Sequence, residues 1–446
     1  MPALLVYDGG NSVKERSSFA SYLSLNEVKG WLIKMEYEIK NGVMFFCVPN
    51  NQLQYRAVMR DKVDREDLQE AVNTAMQRYP YLCTELVRRG GRLFLRENDK
   101  PFLVYEGEKH IPPGAEENGG HLFSFGCNDN MIIINFFHGI ADGRGALPPF
   151  MSVIHYYIRR HYGEDLRAAG LRLADEKADC GEFADPFEYL GYMENNDVEA
   201  IPPQNVFRIP KSELAEPEEA KVKLIRIPAD KFISYAKTLS VAPSTLMTLF
   251  LARAIDKVYP MCENDILIEA PLDARNHLKC EKTMQNCISC IRYVLDGNAA
   301  KMTIAEQAKF FRNTMSKQRE DSFILKYMDK LRRVVTFVEG ELEKHEKITM
   351  PPDVAAPVVT YIGRVDAGEM KKYLKEVYAS FYAPTEPFVA VFANHKDFLV
   401  SYGTREKSSA CYKAFLDEIT NAKIPYREEF EIPAPPITRP FGTFAE

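Results

Sequence analysis

His138 and Asp142 stand four residues apart in the stretch Met131–Gly145, MIIINFFHGIADGRG, just where an apolar run ends. An imidazole titrates near neutrality, so a positioned histidine can take a proton from a hydroxyl or an amine. The run Met131–Ile134, with Phe136 and Phe137, predicts a central strand covered on both faces. That strand would deliver the imidazole and the carboxylate to a fixed place at its end. Gly139, Gly143 and Gly145 argue for a tight turn rather than a helix around the two side chains. On that reading His138 and Asp142 are not a helical i, i+4 metal-ligand pair.

The flanking segments supply the elements that must position this turn. Asp64 is placed to cap a helix, with Asp67 at its third position in a variant of the capping box. Val63 and Leu68 can form a hydrophobic staple. Leu68, Ala71, Val72, Ala75, Met76 and Tyr79 make one apolar face at helical spacing. The following YLCTELVRRGGRLFLREN reads as a hairpin turning at Gly90-Gly91. After the motif, Pro148 and Pro149 suit a first helical turn, and Phe150, Met151, Ile154 and Ile158 give that helix its buried stripe.

From about Asp179 to Glu219 the chain is rich in Pro, Asp and Glu without a sustained period. A connection that long marks a boundary or a functional loop. It divides the chain into an N-terminal part (1–185) carrying the motif, a crossover (186–220) and a C-terminal part (221–446). The second part opens on a strand, Lys221–Ile227. Helical sequence then runs from Ala229 to Tyr259, broken at Val241–Ser244, with Ser244 or Thr245 as the expected cap of its second segment. Next comes a strand, Asp265–Ala270, leading into PLDARNH.

The HGIADG spacing after an apolar strand resembles the active-site motif HxxxDG of the chloramphenicol-acetyltransferase-like superfamily. That group contains acyl-CoA-dependent alcohol acyltransferases and the condensation domains of nonribosomal peptide synthetases. The order of helix, RYPYL, strand, GGR and strand near the N-terminus resembles the opening of those domains. The resemblance implies an α/β (α+β) fold of two chloramphenicol-acetyltransferase-like subdomains, each a mixed sheet flanked by helices, with an active-site tunnel between them. It implies that His138 is the general base and that Asp142, with Gly143, is structural. The family's arginine at the end of the second-half strand matches Arg275, which would pair with Asp142. A planar guanidinium suits that task, because a desolvated carboxylate is costly unless paired. MQNCIS resembles the family's segment near the active site, making Asn286 a substrate contact. VVTYIGRV resembles its S-N-x-G strand, with Tyr361 where an Asn is common, which makes Tyr361 a second candidate substrate contact.

Two features depart from the pattern. Condensation domains show HHxxxDG, whereas Phe137 fills the first position here, and the DFGWG of plant-type acyltransferases is absent. The first departure favours a free-standing acyltransferase moving an acyl group from acyl-CoA to a small-molecule hydroxyl or amine acceptor. Two other readings stay open: a condensation-type enzyme fed by an acyl carrier protein's phosphopantetheine, and a catalytically silent binding relative. On any of them acyl-CoA or acyl-phosphopantetheine is a co-substrate, and no covalent cofactor is expected.

Competing chemistries find little support. There is no GxxxxGK[ST], no GxGxxG after a strand and no GxSxG. His277, Cys280, Cys287 and Cys290 have the types for zinc, but if Asn286–Val294 is a strand, Cys287 and Cys290 point to opposite faces. No metal is expected. The 446 residues, 46% hydrophobic, suffice for a large core. Nine cysteines without framework spacing suit reduced thiols and a cytoplasmic enzyme. No signal peptide and no apolar run approaching the ~20 residues of a membrane span are evident. A net charge of −6 gives no general attraction to nucleic acid. Lys330, Arg332 and Arg333 are a candidate cluster for coenzyme A phosphates, against the plainer reading of a solvated helix face.

Overall fold

The computed structural model describes residues 6–7, 13–14, 36–46, 52–191, 206–260, 264–344, 356–381 and 385–435. In the first half, β1 (Glu36–Ile39), β2 (Gln52–Met59), α1 (Arg65–Met76), β3 (Thr84–Arg89) and β4 (Arg92–Glu97) come first. They are followed by β5 (Val104–Glu106), β6 (Phe123–Asn128), β7 (Met131–Phe137) and α2 (Gly143–Tyr162). The second half begins with β8 (Lys221–Pro228), α3 (Ala229–Thr238), α4 (Pro243–Val258), β9 (Ile266–Asp273), the single turn α5 (Arg275–Leu278) and β10 (Ile288–Leu295). It continues with α6 (Ile304–Gln318), α7 (Asp321–Lys344), β11 (Val358–Arg364), β12 (Leu374–Phe381), β13 (Phe388–Ala393), β14 (Asp397–Thr404), α8 (Ala410–Asn421) and β15 (Arg427–Pro433).

These strands build a five-stranded sheet in the order β12-β2-β7-β6-β5 and a seven-stranded sheet in the order β10-β9-β11-β13-β14-β8-β15. A smaller sheet, β1-β4-β3, carries the hairpin at Gly90. The motif strand β7 is central, antiparallel to both β2 and β6. Residues Ile132 to Phe137 are all buried, as expected for a strand covered on both faces. Helix α1 packs on α2, and its predicted face, Leu68 through Tyr79, is fully inside the core. Asp64 caps it, accepting from the Asp67 amide at 2.9 Å. Asp67 does not complete the box, because its carboxylate turns to Arg160 and His161.

Strand pairing and helix packing both cross the boundary near residue 221: α7 lies against Val43–Phe46 and the β4 strand of the first half. β12 belongs to the second half by sequence, yet it pairs along its whole length with β2 in the first half's sheet. The same strand is bonded to the second sheet, where Arg226 of β8 grips Glu376 and Ser401 of β14 donates to the Ala379 carbonyl. The two lobes are therefore interleaved rather than strung in series.

Two local expectations give way. Helix α2 begins at Gly143, five residues before Pro148, so the prolines lie inside it rather than in its first turn. Asp142 supplies the missing start signal, accepting from the Gly145 amide at 2.7 Å. Helix α4 is opened by Pro243 after Ala242, with no side-chain cap, so neither Ser244 nor Thr245 caps it. Proline's fixed φ suits the first helical position.

Candidate active site

β7 ends at Phe137, and the chain turns through His138, Gly139 and Ile140 before Asp142 starts α2. His138 and Asp142 thus lie on a turn and a helix cap, not on one helical face. Two segments distant in sequence close on this turn. From one side, Phe45 stacks on the His138 ring, centroids 4.3 Å apart and planes 7° from parallel. Gly42 lies so close to the Gly139 carbonyl that any Cβ there would overlap it. From the other side, the Asn286 amide donates to the His138 carbonyl, and the Asn41 amide donates to the Asn286 carbonyl at 2.9 Å.

Because a carbonyl demands a donor, these bonds fix which end of each amide is nitrogen. Both remaining amide oxygens, Asn286 Oδ1 and Asn41 Oδ1, are buried and without a hydrogen-bond partner. Buried acceptors in native proteins are normally satisfied.

His138 is itself electrostatically poised. Desolvation pushes its pKa below the ordinary 6.5, outweighing the upward pull of its own backbone carbonyl, the Asp142 charge and the Asn286 amide. The ring is accordingly neutral at pH 7. Its Nδ1 is buried and makes no hydrogen bond.

Asp142 is locked from three directions. Its Oδ1 accepts from the Gly145 amide and from Arg275 Nη2 at 2.9 Å, and its Oδ2 accepts from the Cys287 amide at 3.1 Å. Both members of the ion pair are 2% exposed. The rest of the guanidinium is satisfied by the Thr283 and Gln285 carbonyls and by Asp273 Oδ1 at 3.0 Å. Asp273 in turn holds Arg144 of α2. The pair thus ties α2 of the first half to the β9–β10 connection of the second. Gly143 and Gly145 belong to this lock by close approach. A Cβ on Gly143 would stand 2.5 Å from the Tyr55 hydroxyl, which donates to the Gly143 carbonyl, and one on Gly145 would overlap the Met284 carbonyl.

Tyr361 lies elsewhere. On β11 its neighbour Ile362 faces Gly143, while Tyr361 points the other way into a shallow recess with Phe398, Met247 and Phe232, and is 40% exposed. Arg332 and Arg333 both pair with Asp329 on α7. His277 bonds Asp321, and the Cys280 and Cys287 sulfurs are 3.6 Å apart. Among the described residues no three His, Cys, Asp or Glu side chains are grouped to hold a metal. Asn41, Phe45, Tyr55 and Arg144 were not singled out from sequence. Arg144 directly follows the motif, whereas Asn41, Phe45 and Tyr55 lie outside it and join the site only through tertiary contact.

No family model and no curated protein matches the chain. Solved structures do. TRI101 of F. sporotrichioides, solved with coenzyme A and T-2, aligns over 88% of this chain and 99% of its own, with a TM-score of 0.59 at 11% identity. The condensation domain of the monacolin K polyketide synthase MokA aligns over 87% and 96%, with a TM-score of 0.54 at 12% identity. Polyketide synthase associated protein 5 of Mycobacterium tuberculosis aligns over 86% and 96%, with a TM-score of 0.54 at 11% identity. The chain shares the fold of these structures, mixed sheets flanked by helices.

Proposed function

We propose that this protein is an acyltransferase that moves an acyl group from acyl-CoA to a hydroxyl or amine acceptor, with His138 as general base. The observation that carries the reading is the state of His138, a desolvated, neutral imidazole whose turn is clamped by Asn286 and Phe45 and backed by the Asp142–Arg275 lock. In the reaction His138 Nε2 takes the acceptor's proton as the acceptor oxygen or nitrogen attacks the thioester carbonyl. The carbon–sulfur bond then breaks, and the proton leaves on the departing thiolate. Asn286 Oδ1 accepts a hydrogen bond from the acceptor and orients it. No acyl-enzyme forms, so no nucleophile motif is required. Asp142, Arg275 and Gly143 keep the turn in shape without touching substrate. Holding both substrates beside one base supplies the proximity contribution.

The fold is also that of condensation domains, in which the donor would be an acylated phosphopantetheine on a carrier protein. Thiol release from acetyl-CoA and from an acetylated carrier protein, each with mixed alcohol and amine acceptors, separates the two. Acceptor-stimulated release from acetyl-CoA at the higher kcat/KM is expected. Release from the carrier protein alone would transfer the assignment to a condensation-type enzyme, and acetyl-CoA bound without turnover would mark a silent relative.

The acid limb of kcat/KM should fall below the ordinary histidine value of 6.5, because the free enzyme's base is desolvated. Activity is retained as pH drops through 6.5 and lost only below it. A limb at or above 6.5 would contradict the assignment of His138 as that base. The reading places the enzyme in the cytoplasm. Among the described residues no single helix is long and apolar enough to cross a membrane.

A further inference from the structure

One face of the five-stranded sheet is polar although it is buried. Ser380 of β12, Gln54 of β2, Asn135 of β7 and Ser124 of β6 stand directly opposite one another from strand to strand, and so share that face. All four are buried. Gln54 donates to Asn135 at 2.7 Å, Asn135 donates to Ser124 at 3.1 Å, and Arg56 donates to Gln54. The opposite face, with Tyr55, Ile134 and Phe136, is apolar and belongs to the core shared with α2.

The row leads towards the active site. Gln52 lies opposite Phe137, the residue before His138, on the same face as Gln54. Its amide nitrogen donates to the Ile111 carbonyl at 3.1 Å, which fixes Oε1 as the free end. That oxygen is buried and has no partner. The Ser380 hydroxyl is likewise buried and orphaned, as are both ring nitrogens of His110, next to Ile111. Orphaned groups of this kind call for a ligand or ordered water.

Their chemistry selects the ligand. Gln52 Oε1 is an acceptor, a serine hydroxyl both gives and accepts, and a neutral imidazole offers one donor and one acceptor. Among the described residues, the charged groups beside them are paired or neutral. Arg56 is neutralised by two bonds to Glu108, and burial pushes the His110 pKa down to about 4, so the ring is uncharged at pH 7. Mixed donors and acceptors without charge suit hydroxyl groups and do not suit a phosphate, a carboxylate or an apolar chain.

We propose that Gln52, His110 and Ser380 bind the non-reacting hydroxyl groups of a neutral polyhydroxylated acceptor whose reacting group lies at His138. What the bound molecule is for rests on the acyltransferase reading; that it binds does not. The test is equilibrium binding of sorbitol and methyl glucoside, compared with cyclohexylmethanol, by ligand-detected NMR and calorimetry. Wild type and His138→Ala should both bind a polyol at least roughly tenfold more tightly than the apolar alcohol. Gln52→Leu and Ser380→Ala should each lose roughly tenfold of polyol affinity, the effect of one buried hydrogen bond left unmade. Melting temperature shows whether each variant is folded. Should Gln52→Leu fail to fold, Ser380→Ala, which removes one oxygen, and the wild-type comparison still decide. Equal affinity for polyol and apolar alcohol, or full polyol affinity in the folded variants, would overturn the proposal and leave the orphaned groups to ordered water. Polyol binding as expected, with no acetyl transfer to the polyol from acetyl-CoA, would support the subsite while counting against the acyltransferase reading.

Discussion

Arg275→Ala should destabilise the protein by about 3–5 kcal/mol, the usual cost of removing one partner from a buried ion pair. The loss leaves Asp142, the Thr283 and Gln285 carbonyls and Asp273 each short of a donor in a site where both members of the pair are 2% exposed. Asp142→Asn tests the same lock from the other side. Asn is as good a helix cap as Asp, so capping alone predicts no change. Here, however, the cap oxygen also faces a guanidinium, and its twin faces the Cys287 amide. An Asn nitrogen in either place would set donor against donor. We expect a loss of stability and of acyl transfer together, measured by chemical denaturation and steady-state kinetics. Lost activity with unchanged unfolding would show that Asp142 acts on the chemistry directly.

Gly145→Ala gives the second large effect, with a sign opposite to propensity. Gly145 is the third residue of α2, where Ala is intrinsically favoured over Gly by about 1 kcal/mol. The added Cβ would overlap the Met284 carbonyl, whose segment continues through Gln285 and Asn286 to Cys287. Backbone on both sides must move apart, at roughly the 1–3 kcal/mol typical of overpacking. The movement draws Cys287 from Asp142 and Asn286 from His138. We therefore expect lower thermal stability and a fall in kcat; a more stable variant would show that the two lobes do not meet closely at this point.

Much of the framework around the candidate site is legible in the chain because its signals are local. The strand Met131–Phe137 showed as an unbroken apolar run, α1 showed in its cap and its 3.6-residue period, and the hairpin showed at Gly90-Gly91. The partnership of Arg275 with Asp142 came through resemblance, since nothing in the spacing of residues 133 positions apart foretells it. Where reading failed, tertiary contact had overruled a local rule. Gly143 and Gly145 suggested a turn, but they open a helix, selected because Tyr55 and Met284 leave no room for a Cβ. β12 lies in the second half by sequence, and only the assembled sheets reveal that it completes the first. On β11 strand alternation turns Ile362, not Tyr361, towards Gly143. Phe45 and Asn41 lie outside any regular pattern and become legible only when they meet His138 and Asn286.

The most direct test of the central claim is acceptor-stimulated release of thiol from acetyl-CoA, wild type against His138→Ala. The geometry predicts release that rises with polyol or amine acceptors and falls ~10²–10⁴-fold in the variant, the range for a positioned base, with the melting temperature unchanged. Release that persists in His138→Ala at the wild-type rate would contradict the mechanism and leave His138 a buried histidine without a chemical role.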